Sequence, residues 1–205
     1  MDHLAKIINN QFLSYLRKNE EENIIWVVDP DDFRLSYCLV FGLAGEFGAG
    51  EYLFRLGLKD SDGATVDYPN KPPKIGCLTP NGIFSPDGGS ICVSVGEFHS
   101  NVDTSTYGKK YATGWRKTLG IVGYTKSVVY GIMVDWKNVD AAGIRILSGA
   151  SDEQVKEYAK NSYEFNRASY PHIMTAVDNF VSEHPEAKVS LNLIKEREKR
   201  SSLGV

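Results

Sequence analysis

The chain has 205 residues, a formal net charge of −3 and a pI near 5.8. It is about 1.4 times the usual ~150-residue domain and carries no single-sign field of the kind that draws a protein to nucleic acid or an anionic membrane. Apolar residues at 42% and charged ones at 24% exclude a chain disordered throughout and supply a core without disulfide or metal staples.

Leu4, Ile8, Phe12, Tyr15 and Leu16 recur at helical spacing and predict an amphipathic helix over 4–18. After the acidic run Glu20–Glu22, a short apolar piece, Ile24–Val28, ends at Asp29-Pro30. Phe33, Leu35, Tyr37, Leu39, Phe41 and Leu43 then alternate strictly, and Tyr52, Phe54, Leu56 and Leu58 do so again beyond the glycine-rich stretch 45–51. This predicts an antiparallel hairpin with one buried face. The glycines between fall as G-x-x-G-x-G with no helix pattern after them, which argues against a phosphate loop.

A turn at Asp60–Gly63 leads to Tyr68-Pro69-Asn70-Lys71-Pro72-Pro73, a stiff corner that neither a helix nor a central strand accommodates. A strand over Lys74–Leu78 follows, then irregular chain to Cys92 and a long polar loop over 97–114. Trp115 opens a helical stretch that carries Leu119 and Val122 and runs to Met133. Ser151 and Gln154 form a capping box for a helix bearing Val155, Tyr158, Ser162 and Phe165, and Pro171 starts another with Ile173, Val177, Phe180 and Val181 on one face. The order is helix, meandering strands, coil and helices, an α+β pattern. Residues 185–205, with the run Lys195–Arg200, are uncapped and charged and read as a solvated, partly helical tail.

Three cysteines at unpatterned spacing, with no C-x-x-C pair and four histidines, show no zinc constellation. The first residues carry no secretory signal pattern, and 119–136, broken by Lys126 and Asp135, is too polar to span a bilayer. A reducing compartment is expected, the cytoplasm first and the nucleus second, with the thiols free. Cys38 and Cys77 lie in strand patterns and read as small hydrophobes. Cys92 follows Gly88-Gly89 in a loop, where a thiol is open to a bulky partner; a small buried hydrophobe is the other reading of it.

In this order the pieces resemble the catalytic domain of ubiquitin-conjugating enzymes over residues 2–182. The helix and meander come first, then Y-P-x-x-P-P as Tyr68–Pro73. Thr79-Pro80-Asn81 stands in place of the family's His-Pro-Asn, and Gly89-Ser90-Ile91-Cys92 matches its approach to the active cysteine. Thr-Pro-Asn-Gly, the Phe98-His99 pair after Cys92 and the Phe165-Asn166 pair look most like the tail-anchored class that serves endoplasmic-reticulum degradation. The resemblance implies the family's α+β fold: an N-terminal helix, a four-stranded antiparallel meander, an active-site coil and C-terminal helices. It implies one catalytic domain over 1–184, with 97–114 as an inserted active-site loop and 185–205 as a charged tail.

The chemistry implied is a pair of acyl transfers, in which Cys92 accepts ubiquitin as a thioester and yields it to a lysine or a Ser/Thr hydroxyl. Asn81 would serve the tetrahedral oxyanion or brace the loop, His99 would receive the acceptor's proton or orient the acceptor, and Glu97 is a lesser candidate for orienting a lysine. A papain-like Cys–His hydrolase is the rival reading of the same pair, and the family order argues against it. No cofactor or metal is implied, ATP being used by the upstream activating enzyme. Partners implied are ubiquitin or a ubiquitin-like protein, the activating enzyme through the N-terminal helix, and a ligase through Tyr68, Pro69, Asn70, Pro72 and Trp115. Asn70 stands where the family usually carries an aromatic, and Arg116-Lys117 follow Trp115 where a proline is usual, so two apolar ligase anchors are missing. A non-catalytic binding module of the same fold, or a ubiquitin-like modifier as cargo, are the alternatives.

Overall fold

Apolar residues at both odd and even positions of the central strands set the architecture. A computed structural model describes residues 3–18, 23–59, 63–85, 91, 115, 117–137 and 150–202. Four strands, β1 (Ile24–Val28), β2 (Leu35–Phe41), β3 (Glu51–Gly57) and β4 (Lys74–Cys77), form one antiparallel sheet in the order β1-β2-β3-β4. This is the expected meander. The hairpin differs from expectation in one respect. Leu39 pairs with Leu53 and Cys38 with Phe54, so the apolar alternation of β2 and that of β3 fall on opposite faces. Ser36, Cys38 and Val40, between the alternating positions of β2, are buried as well. The sheet therefore has two buried faces, not one, and both sides need helices.

Helix α1 (His3–Lys18) brings Leu4 and Ile8 to the first face, where Trp26, Cys38, Phe54 and Ile75 lie. Helix α2 (Gly120–Val128), entered by a 3₁₀ turn and continued by a π-helical turn over Val129–Met133, packs on that face with Ile121, Val128 and Ile132. Helix α3 (Asp152–Ser169) starts at the predicted capping box: Gln154 N–H donates to Ser151 Oγ while the Ser151 N–H donates to Gln154 Oε1. Helix α4 (Pro171–Glu183) begins with its proline and covers the second face through Ile173, Met174, Val177 and Phe180.

The segment expected as a solvated tail is largely a docked helix. Helix α5 (Lys188–Ser202) buries Val189, Ser190 and Leu193 against the second face. Its charged half turns inward too: Arg197 meets Glu51 through Nε and Nη2 at 2.9 and 3.0 Å, and Arg200 reaches the same carboxylate at 3.4 Å. Glu51 is fully buried at the start of β3, where the sequence suggests only the end of a turn. Two apolar contacts form too narrow a stripe to signal a packed helix. The buried carboxylate supplies the rest. Burial opposes the charge on Arg197, but Glu51 and then Asp178 more than offset this and push its pKa upward.

Candidate functional site

β4 is shorter than β3, and the site is built where the ladder runs out. β3 and β4 pair only from Phe54–Cys77 to Gly57–Lys74. The N–H and C=O groups of Glu51 and Leu53 would be orphaned in the interior, at a cost of about 1–3 kcal/mol each. Side chains and the chain beyond β4 take over. Leu53 N–H donates to Thr79 Oγ1 at 2.8 Å, and its carbonyl accepts from Leu78 N–H at 2.7 Å. Glu51 N–H donates to Ser162 Oγ at 2.8 Å, and its carbonyl accepts from Asn166 Nδ2 at 2.9 Å. The Thr79 hydroxyl donates in turn to Asn166 Oδ1 at 2.7 Å. Thr79, Ser162 and Asn166 are all buried and act together as a surrogate strand.

The loop after β4 hangs from this arrangement. Asn81, buried to 1% exposure, donates through Nδ2 to the Thr79 carbonyl at 2.8 Å and to Cys77 Sγ at 3.3 Å. Its Oδ1 accepts from the N–H groups of Ile83 and Phe84, both at 2.8 Å. Gly82 has φ +76°, and a Cβ there would stand 2.8 Å from Ala150 Cβ, so only glycine lets the start of α3 close on the loop. Both Asn81 amide protons are engaged, and serving an oxyanion would require giving up the weaker sulfur contact. Farther along, Ile91 N–H donates to the Ile75 carbonyl at 2.7 Å, and its side chain packs on the first core face. The residue immediately before Cys92 is thus fastened to β4. Cys92, Glu97, His99 and the expected insert 97–114 lie outside the described residues.

The Tyr68–Pro73 corner is tied down from two sides. Tyr68, buried and followed by a cis peptide bond to Pro69, donates from its hydroxyl to Gln11 Oε1 of α1 at 2.6 Å. Burial pushes its pKa up to about 12. Trp115 is 5% exposed; its indole N–H donates to the Pro69 carbonyl at 3.0 Å, and its ring lies between Tyr68 and Tyr124 at 5.7 and 5.2 Å. Of the residues expected to meet a ligase, Tyr68 and Trp115 thus face inward, Pro69 and Pro72 are half-buried, and Asn70 is exposed, its amide held by the Asp67 carboxylate.

Cys38 and Cys77 are buried and free, and burial raises both thiols to about 12. Glu51, Ser162 and Ile91 carry structural work that sequence reading did not assign. The available signal was on α3, where Ser162 and Asn166 continue the stripe of Val155 and Ala159, two polar side chains on a buried face. Among the described residues no cluster of His, Cys, Asp and Glu suits a metal ion, and no helix is long and apolar enough to cross a membrane.

No protein-family model matches the sequence, and no curated protein matches it significantly. Among solved structures the fold is similar to a chain from Plasmodium yoelii provisionally assigned as a ubiquitin-conjugating enzyme. The identity there is 14% and the TM-score 0.48, with 82% of this chain and 96% of that one covered. It is also similar to the E2 domain of a Toxoplasma gondii ubiquitin-conjugating enzyme, at 14% identity and a TM-score of 0.44, with 75% and 97% covered.

Proposed function

We propose that the chain is a ubiquitin-conjugating enzyme whose nucleophile is Cys92. The observation that carries this reading is the braced Asn81 loop: an asparagine engaged on all four of its polar positions, between the Tyr68–Pro73 corner and a cysteine whose neighbour Ile91 is bonded to β4. A thioester needs a fixed approach for two large partners more than it needs a nucleophile-activating triad, because the thiolate is a good nucleophile and a good leaving group. In the first transfer the Cys92 sulfur bonds to the C-terminal carbonyl carbon of ubiquitin, and the activating enzyme's thiol leaves. In the second an amine or hydroxyl oxygen bonds to that carbon, Cys92 leaves as thiolate, and the acceptor's proton passes to a base. His99 is the proposed base, and Asn81 the proposed support for the oxyanion or for the loop.

Thr79-Pro80-Asn81-Gly82, Phe98-His99 and Phe165-Asn166 support an affiliation with the class that serves endoplasmic-reticulum degradation, and a cytoplasmic or nuclear-facing site of action goes with it. The proposed partners are ubiquitin, an activating enzyme docking on α1, and a ligase that does without an aromatic at position 70.

Incubation with activating enzyme, ATP and ubiquitin, followed by a non-reducing gel, tests the proposal. A reductant-sensitive adduct that Cys92→Ala abolishes is expected. Absence of any adduct, with ubiquitin and with ubiquitin-like modifiers, would replace the enzyme by a binding module. His99→Gln is expected to slow discharge to lysine or to serine and threonine at near-neutral pH, and equal rates would remove His99 from the mechanism.

A further inference from the structure

We infer that Asn166, 87 residues beyond Thr79 in the chain, is a positioning residue for the loop that leads to Cys92. The catalytic part of this inference rests on the reading of Cys92 given above. Thr79 is the shared joint. Its hydroxyl accepts from Leu53 N–H and donates to Asn166 Oδ1, while its carbonyl receives the Asn81 amide and the Cys77 thiol. Asn166 is anchored independently by its Nδ2 on the Glu51 carbonyl. Its oxygen therefore fixes the rotamer and height of Thr79 relative to β3, and the Thr79 carbonyl fixes Asn81. Asn81 then holds the N–H groups of Ile83 and Phe84. Every member is buried, so no water replaces a lost partner without displacing the chain.

Ser162 provides the control. It bonds the other backbone group of Glu51 with no bond to Thr79, so Ser162→Ala loosens the same helix by a comparable amount while leaving the relay to Asn81 intact.

Asn166→Ala, Thr79→Val, Thr79→Ser and Ser162→Ala are compared in the full chain by two measurements. The first is amide hydrogen exchange at Ile83 and Phe84, which needs no activity. Asn166→Ala and Thr79→Val are expected to speed exchange there about tenfold relative to Ser162→Ala, the scale of losing one or two buried bonds. Thr79→Ser, which keeps the hydroxyl, is expected to stay within about twofold of the parent. The second is discharge of the preformed ubiquitin thioester to free lysine, well below each variant's melting temperature. The maximal rate is expected to fall about tenfold in Asn166→Ala and Thr79→Val with the half-saturating lysine concentration unchanged, and to hold in Ser162→Ala and Thr79→Ser.

Equal exchange at Ile83 and Phe84 in Asn166→Ala and Ser162→Ala would overturn the inference, and so would discharge rates that follow melting temperature across all four variants. If Asn166→Ala does not fold, the Thr79→Val against Thr79→Ser comparison decides. A parent chain that forms no thioester would defeat the enzyme reading alone, and the exchange measurement would still decide the positioning role.

Discussion

Arg197 and Glu51, 146 residues apart, meet side-on with both carboxylate oxygens engaged, the carboxylate fully buried and the guanidinium mostly so. The pair joins the last helix to the first residue of β3. Arg200 adds a third contact, and Tyr163 of α3 lies under both guanidinium groups at 5.1 and 5.3 Å. Geometry of this kind matters because an unpaired buried charge costs far more than an exposed pair gains.

Removing the carboxylate should therefore be felt throughout the fold. Glu51→Ala is expected to cost about 3 kcal/mol, a fall of roughly 6–12 °C in melting temperature for a chain of this size. Asp178→Ala, which removes the half-exposed partner of the same Arg197, is expected to cost under about 1 kcal/mol. Thermal and urea unfolding of the two variants check the ranking, and equal losses would show that the Glu51 pair has no special weight.

Trp115 offers a second test, because burial assigns it to the core and not to an open surface. Trp115→Ala is expected to cost about 3–5 kcal/mol, and Trp115→Phe, which keeps ring packing but loses the bond to the Pro69 carbonyl, about 1 kcal/mol. Urea denaturation of the isolated chain, with no partner present, is the measurement. A fully stable Trp115→Ala variant would contradict the packing between Tyr68 and Tyr124.

The thiols divide by burial. At pH 8, groups raised to about 12 are ionised in about one molecule in 10⁴, and both Cys38 and Cys77 are closed to a reagent. Iodoacetamide on the native chain is expected to add one group, lost in Cys92→Ser, and on the urea-denatured chain three. Intact mass gives the count. Rapid modification of Cys38 or Cys77 in the native chain would refute the assignment.

Acid sensitivity follows from Asp32. Its carboxylate accepts from Arg34 Nε and Nη2 at 2.7 and 3.1 Å, and Lys59 pairs with it as well. Arg34 first and Lys59 second hold its pKa well below the ordinary carboxylate range. A depressed native pKa stabilises above the unfolded value near ~4 and is lost as pH falls below it. Asp32→Asn is expected to lower stability at pH 7 by under about 1 kcal/mol, the site being near the surface. The gap from the parent should be narrower at about pH 2 than at about pH 7, closing fully only as pH falls through the depressed native pKa. Urea midpoints at both ends of that range test the sign. A gap as wide at pH 2 as at pH 7 would exclude it.

The parts of the fold legible in sequence are those where one period dominates: the spacing of Leu4, Ile8 and Phe12 on α1, the strand alternation, and the Ser151–Gln154 box. What stayed hidden depends on pairing between distant segments. Offset registers placed the β2 and β3 alternations on opposite faces, and nothing in either strand alone reveals that. Glu51 looks like a turn residue until Arg197 is brought to it. At the candidate site, Asn81 was legible as a motif residue. The use of Thr79 was not, because its partner Asn166 arrives from another helix, and a threonine ahead of Pro80-Asn81 gives no hint of that partner.

The bond from Ile91 to the Ile75 carbonyl also bears on how the chain stays apart from its neighbours. β4 is an edge strand, and an edge with free carbonyls invites pairing with a strand from another molecule. The segment running into Cys92 occupies the outward carbonyl at the middle of this four-residue edge. Any event that pulls the segment away, whether handling of a bulky adduct or local opening, would uncover a template for association. The same short stretch of chain therefore links the proposed reactive centre to protection against aggregation.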